Sequence, residues 1–465
     1  MRNTIKQFYQ LSIAIVILGN ITACKKHLEI DPPIDGLVTE NVYTTKAGID
    51  AAVIGMYNAF TSYAFTSNYL RTVFLMSDEG NYAATQAGDV GALINANVLP
   101  TNTNIPALAW FYGPIYKAND IIEHLGTLPA GIITDSLRNA YIGAAKYIRA
   151  AEHFTMVSSW GDIPLVTSTS VNINAALTRT PAVDVYAAVV KDLQDAATLL
   201  PATVLPASQM YIHNKYQALA LLAKVQLYMG NWTDAEASAT TVINSGQFSL
   251  VTTGLNNVIK RGSREIITAQ GYSSSIFQYV FYANILLPTS ATTAGNFPSL
   301  SAAMMTNFEA ADLRKVAGNW MVLFNANNYC NKYALTASAT APQDFSYQRL
   351  AELYLIRAEA RTQLNNITGA ATDINSIRTR AGLVTGTTAT DKTTMMAAIE
   401  KERICELFFE GHRWYDLKRW GKLDAVLGTL SWKSTNYKPY FNLWPIQQLE
   451  LDRSPTLKQN PGYPQ

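Results

Sequence analysis

Cysteine is nearly missing from this chain, with three in 465 residues. One of them, Cys24, stands near the start, which leaves Cys330 and Cys405 for the body. Two thiols do not build a disulfide framework, although a single Cys330–Cys405 bridge stays open at this level. Histidine is also scarce, at five residues, and His412 has no second histidine or cysteine at metal-ligand spacing. No GxSxG elbow and no phosphate-cradling glycine loop occurs. Charge is low, at 15% of residues, and almost balanced. No basic excess marks a nucleic-acid footprint. After the first two dozen residues no apolar run reaches the ~18–20 residues that a spanning helix needs.

The first two dozen residues are different. Arg2 and Lys6 form a basic head, Leu11 to Leu18 is apolar apart from Ser12, and Ile21-Thr22-Ala23-Cys24 follows. A basic head, a short apolar core and small residues at a cut site read as a secretory signal, residues 1–23. The cysteine directly at the cut resembles a lipobox, in which it becomes the acylated first residue of the mature chain; stable anchoring then takes more than one acyl chain. Cleavage removes Arg2 and Lys6, leaving 34 basic residues against 34 acidic ones. Residues 24–40 are expected to be an extended tether, because Pro32-Pro33 cannot sit inside a helix. Cys24 is the expected lipid attachment point.

What is abundant is tyrosine, at 25 residues, with eight tryptophans. Many are core, and others suit recognition through an apolar face and a polar tip. The body reads as mainly α. Helices are expected over 45–60, 107–125, 135–158 and 181–200, with a loop-rich stretch at 61–105 and a break at Trp160-Gly161-Asp162-Ile163-Pro164. Two helix pairs follow. The first spans 215–246 around Gly230-Asn231, with Ala223 and Ala235 twelve apart. The second spans 347–382 around Asn365-Asn366, with Ala358 and Ala370 twelve apart. Small residues at those places let antiparallel helices approach, which is the tetratricopeptide pattern. The fold class is therefore tetratricopeptide-like helix pairs, an α-α superhelix scaffold, packed against a loop-rich lobe with a few short strands. Its regions are 41–246, a loop-rich insertion at 247–345 and a helical region at 346–465. A long irregular insertion is usually functional, so 247–345 is the candidate ligand surface. A strand is expected at Glu265–Ala269.

The densest chemistry lies in RICELFFEGHRWYDLKRWG, residues 403–421. The spacing predicts a helix over 395–410, ended by Gly411 at the C′ position. Glu402, Glu406 and Glu410 would then line one edge, ~6 Å apart along the axis. A retaining glycosidase places its carboxyls ~5–5.5 Å apart, which makes catalysis worth weighing. The helical wheel opposes it. Met396, Ile399, Ile404 and Leu407 form the buried stripe, Arg403 falls inside it, and Glu406 and Glu410 flank it. A buried charge has to be paired. Arg403, Glu406, Glu410 and Arg413 are therefore expected to form a structural ion-pair network. His412 reads as structural or as a helix-end cation, and Trp414 and Trp420 as packing residues. No catalytic residue, metal or cofactor is nominated.

The stretch EKERICELFFEGHRWYDLKRWGKL (400–423) resembles the C-terminal signature of the SusD/RagB family of nutrient-uptake outer-membrane lipoproteins. WFYGPIYKANDIIEHL (110–125), GAAKYIRAAEHFTMVSSWGDIPLV (143–166), ALALLAKVQLYMGNWTDAEASATTVINSGQFSL (218–250) and LWPIQQLELDRSPTLKQNPGY (443–463) are similar to further family blocks in the same order. The resemblance covers nearly the whole chain. It implies a lipid-anchored protein on the outer face of the cell outer membrane that binds a glycan or other nutrient for uptake. It also implies a partner, a SusC-like TonB-dependent β-barrel transporter, and no catalysis. Outward-facing lipoproteins of such bacteria often carry acids just after the lipidated cysteine; here Lys25-Lys26 intervene and the acids wait until Glu29 and Asp31.

The family's ligand residues vary, so the candidates rest on physics. Sugars stack their C–H faces on aromatic rings and pair their hydroxyls with amides and carboxylates. Loop segments that offer both contain Tyr82, Tyr272 and Trp320 as platforms and Asn81 and Asn319 as polar neighbours. Asp78-Glu79 lacks the alternating acids of a calcium loop. Two other readings stay open: a helical-repeat lipoprotein that binds peptide or protein, and a glycan hydrolase, for which no facing acid pair can be named.

Overall fold

The computed structural model describes residues 42–60, 69–204, 212–270, 286–288, 290–333 and 345–464. Cys24 and Tyr272 lie outside the described residues. The chain divides into two compact units, Met1–Ala51 and Ala52–Gln465. In the first, the Thr45 hydroxyl accepts from the Gly48 N–H at the start of helix α1 (Lys46–Phe60).

In the second unit the described helices are α2 (Leu70–Met76), α3 (Gly88–Ile94), α4 (Ala109–Gly126), α5 (Asp135–Trp160), α6 (Val171–Ala175), α7 (Ala182–Leu199), α8 (Lys215–Tyr228), α9 (Trp232–Ile243), α10 (Ala302–Met305), α11 (Leu350–Gln363), α12 (Ile367–Arg380), α13 (Lys392–Leu407), α14 (Arg413–Arg419), α15 (Leu423–Leu427) and α16 (Gln448–Arg453). Six short strands accompany them: β1 (Gly80–Tyr82), β2 (Ile266–Gln270), β3 (Pro298–Leu300), β4 (Met321–Phe324), β5 (Asn327–Cys330) and β6 (Phe345–Arg349).

The helix pairs form where the small residues permit them. Ala223 and Ala235 are fully buried between α8 and α9, and they share one apolar cluster with Leu353, Ile356 and Ala360 of α11. Ala358 and Ala370 continue the stack into Met395 and Ile399 of α13. Each pair turns through one left-handed residue, Gly230 at φ +75° and Asn365 at φ +62°, the two residue types that tolerate that region best. Between α11 and α12, Arg357 grips Asp373 at 3.0 and 2.6 Å. Further upstream, Gly143 brings α5 against the end of α7, because a Cβ there would stand 2.9 Å from Leu200. Arg149 of α5 ties α7 through Asp192 at 2.7 and 2.8 Å.

The strands form two small antiparallel sheets. One has the order β1-β3-β5-β4, with Asn81 opposite Ser299, Ser299 opposite Tyr329 and Tyr329 opposite Val322. The other pairs β2 with β6, Ile266 opposite Arg349. That register sets Glu265 beside Arg349 at the mouth of α11.

Three sequence expectations are corrected. The stretch 61–105 is not all loop: it holds α2, β1 and α3. Both helices are stopped by one distant residue, since the buried Lys433 ammonium donates to the carbonyls of Leu75, Leu93 and Ile94. Residues 347–349 belong to β6 rather than to a helix. Helix α13 ends at Leu407, not at Glu410. Phe409 is left-handed, at φ +55°, and its N–H goes to the Glu79 carboxyl oxygen at 3.0 Å instead of to a helix carbonyl.

Candidate functional site

The charged stretch leads into a buried lattice of ion pairs. Arg349, at the end of β6, donates to Glu410 at 2.7 Å, to Glu406, and to Glu265 at 3.1 Å. Arg380 of α12 clamps Glu265 and Glu406 from the other side. Arg314 binds Asp312 at 2.8 Å, Glu402 at 2.6 Å and Glu406 at 3.0 Å. The Lys332 ammonium takes Glu410 and the carbonyls of Glu406 and Phe408. Through Glu402 the lattice reaches Arg378, and through Glu309 it reaches Lys401. Six cations thus meet six carboxylates, so the lattice is neutral as a whole.

The four residues expected to form the network are all buried and paired, but no ion pair joins any two of them among the described residues. Arg403 binds Asp416 at 2.7 Å. Arg413 binds Asp78 at 2.8 Å and Glu400 at 3.1 Å. Glu406 and Glu410 answer to cations from β6, α12 and the insertion. Sequence reasoning named the carboxylates and missed most of their partners, Arg314, Lys332, Arg349 and Arg380. The one available signal was that a buried acid on a helix stripe requires a cation from somewhere.

This geometry removes the carboxylates from chemistry. Burial pushes Glu406 upward, but the guanidiniums of Arg380, Arg349 and Arg314 overcome it and hold it well below the usual range. Arg349 and Lys332 do the same to Glu410. Neither carries a proton to give, and both lone-pair sets are occupied. Burial drives His412 well below its usual value, with Lys224 close by, so it is neutral. It precedes α14 rather than ending a helix, which corrects the helix-end cation reading. Trp414 is buried. Trp420 donates its indole N–H to Glu359 at 2.9 Å.

Trp320 is not a sugar platform. It is fully buried, with the Lys332 ammonium 4.5 Å and the Arg380 guanidinium 5.4 Å from its ring centre. Its indole N–H donates to the Leu255 carbonyl at 3.0 Å. With the Arg349 guanidinium 5.8 Å away, the tryptophan gives three buried cations a polarisable face. Its neighbour Asn319 is half-buried and spends its amide on the Leu313 carbonyl at 2.8 Å. Tyr82 is half-buried on β1, its hydroxyl pushed up to about 12 by burial. Asn81 Oδ1 accepts from the Tyr82 N–H at 2.8 Å. β1 and β4 are opposite edges of one sheet, three inter-strand steps or ~14 Å apart.

Asp78 and Glu79 are buried behind β1. Asp78 serves Arg413, and Glu79 holds the Phe409 turn. Burial, with Asp78 alongside, lifts Glu79 to about 8 against the opposing Phe409 hydrogen bond. Cys330 and Cys405 are both buried free thiols.

Two family models match this sequence: one described as the SusD family over residues 324–463, and one described as starch-binding associating with outer membrane over residues 26–227. The chain belongs to the SusD/RagB family. SusD-like protein P38 of Formosa agariphila is 27% identical, over 98% of this chain and 100% of that protein. The starch-binding protein SusD of Bacteroides thetaiotaomicron is 33% identical over 29% of this chain and 25% of its own length. A SusD superfamily structure from Bacteroides vulgatus superposes with a TM-score of 0.79 at 21% identity, covering 90% of this chain and all of that one. A laminarin-binding SusD-like protein gives 0.73 at 21% identity, covering 90% and 100%. These solved structures share the fold, and the mainly helical SusD architecture is the one seen here. The SusD-family match at 324–463 contains Lys332, Arg349, Arg380, Glu402, Glu406 and Glu410, so it spans most of the ion-pair lattice.

Two outcomes test this account. Glu406→Ala leaves Arg314, Arg349 and Arg380 facing one another, and is expected to cost ~3–5 kcal/mol in urea unfolding. Glu79 is protonated in the fold up to about 8 and ionised in the unfolded chain above about 4.5. Stability that it supplies is therefore present at low pH and lost as pH rises between those values, by at most ~1.4 kcal/mol per pH unit. Glu79→Gln keeps the acceptor for Phe409 and removes the proton, so the wild-type chain should lose stability relative to it from pH 5 to 8. Parallel pH profiles would mean that Glu79 is ionised in the fold.

Proposed function

We propose that this protein is a lipid-anchored outer-membrane lipoprotein that captures an oligo- or polysaccharide and delivers it to a SusC-like TonB-dependent transporter. One observation carries the reading: residues 26–227 match a family described as starch-binding associating with outer membrane. The relatives agree with it, since one matching protein is named for starch binding and one similar structure for laminarin binding. The lipid anchor would be Cys24. Its role is supported by the leader before it and by the fact that, among the described residues, no helix is long and apolar enough to cross a membrane. The protein acts by binding alone. Its densest carboxylate cluster is committed to arginine and lysine partners, as an architectural element would be.

The helix pairs supply the scaffold and much of the transporter contact, and the insertion supplies the ligand surface. Tyr82, with Asn81 beside it, is the proposed stacking contact, and Asn319 and Tyr272 are further candidates from elsewhere in the sequence.

Affinity electrophoresis of the full chain in non-ionic detergent, against a panel of plant, host and microbial polysaccharides, tests this. Retardation by a glycan class, with no release of reducing ends, is the expected result. Tyr82→Ala should weaken it by about tenfold, on ~1–1.5 kcal/mol for a lost ring contact. Release of reducing ends would overturn the binding-only reading, and retardation by no glycan would turn it toward peptide. Cys24→Ala should move the protein from the membrane to the soluble fraction of its bacterial host.

A further inference from the structure

We propose that Arg71 belongs to the ligand site at Tyr82, and that its guanidinium donates to two adjacent oxygens of a sugar ring held against Tyr82. The inference rests on the glycan-binding reading and adds to it a binding residue and a preference for paired ring hydroxyls.

Almost every other arginine has a partner within the chain. Among the described residues, only the side chains of Arg71 and Arg453 enter no hydrogen bond and no ion pair. Arg453 is exposed and answered by solvent. Arg71 is half-buried, and its Nε is shut away from water with no acceptor. A guanidinium that gives up part of its water without gaining a partner is an arrangement folded proteins rarely keep. The nearest acids in sequence cannot serve it: Asp78 is bonded to Arg413, and Glu79 holds the Phe409 N–H. Nor does packing account for a charge on α2, where Leu70 and every residue from Thr72 to Met76 are buried. Arg71 is the one side chain of this helix that reaches the surface.

The fold brings that side chain to Tyr82. Helix α2 packs beside β1. Arg71 and Phe74 are three residues apart, so they share a flank of the helix. Phe74 meets the Phe409 ring edge-on, with 5.3 Å between ring centres. Phe409 in turn fills the space over Gly80, where a Cβ would stand 3.0 Å from its ring. Gly80 and Tyr82 lie on one face of β1, because side chains alternate along a strand. Tyr82 therefore stands on the side of β1 that Phe409 and Phe74 occupy. Arg71 is near enough to its hydroxyl to oppose the rise that burial causes. Both elements are fixed from outside. Lys433 holds the Leu75 carbonyl at 2.6 Å, and the Ser301 hydroxyl holds that of Asp78 at 2.7 Å. The site thus offers a half-buried aromatic ring and a planar fork of N–H donors. A sugar ring offers a C–H face and neighbouring oxygens, and a rigid fork suits two oxygens side by side.

The test is affinity electrophoresis of the full-length protein in non-ionic detergent against laminarin, amylopectin and a galactomannan, with unfolding midpoints measured alongside. Arg71→Met keeps the side chain's apolar stem and removes its donors. Its apparent dissociation constant, for whichever polymer retards the parent chain, should rise by about tenfold or more. Its unfolding midpoint should match the parent's, because no bond within the fold is lost. Arg71→Lys keeps the charge without the fork and should recover only part of the binding. Full retardation of Arg71→Met, with Tyr82→Ala still weakened, would overturn the assignment and leave glycan binding at Tyr82 intact. A lowered midpoint in Arg71→Met would make the arginine structural and overturn it as well. Full binding by Arg71→Lys would overturn the preference for paired oxygens. Retardation of the parent chain by none of the three polymers would remove the underlying reading.

Discussion

The structure is organised around carboxylates that have been taken out of water. Desolvating an ion costs several kcal/mol, and only close partners repay it. Glu406 illustrates the constraint. It sits on α13, yet its oxygens answer to Arg314 from the insertion, Arg349 from the end of β6 and Arg380 from α12. No one segment can neutralise it. The lattice therefore stabilises only the arrangement in which all four segments are in place, and any partial assembly leaves a charge buried and unmatched. Such a lattice adds less to total stability than its number of pairs suggests. What it adds is a strong preference for one register among helices whose apolar contacts alone would tolerate sliding.

That register has consequences at the surface. Trp320 lies under the cations and receives them on its ring, and its indole N–H fixes the loop at Leu255. From there Asn256 fixes Gly318. A chain of short contacts thus runs from the centre of the lattice to the loop at Leu255 and Asn256. The second arm runs through Glu79 and Phe409 to β1 and Tyr82. The irregular insertion is thus held in part by the same ion pairs that hold the helices.

Much of the architecture was legible in the sequence, because helix pairs announce themselves locally. Ala223 with Ala235, and Ala358 with Ala370, needed only spacing and small size. The β2 strand was visible for a similar reason. What failed to show was anything set by a distant partner. Helix α13 stops short because Glu79, more than three hundred residues earlier in the chain, captures the Phe409 N–H. The helices α2 and α3 are capped by Lys433, whose ammonium is buried at a depth that lowers it to about 7. Trp320 looked like a platform because Asn319 stands beside it in a polar loop segment. Burial is a property of the fold around a residue, and the sequence beside Trp320 holds no trace of Lys332 and Arg380.

Aromatic residues and charged residues therefore carry different information in this chain. An aromatic in a loop can face inward or outward, and its neighbours do not decide which. A charge is constrained by electroneutrality. The two fully buried cations of the insertion, Arg314 and Lys332, can each be assigned to carboxylates. In this chain the signature acids are committed to ion pairs, and the need to neutralise each of them, rather than any one helix, fixes where the segments around them can sit.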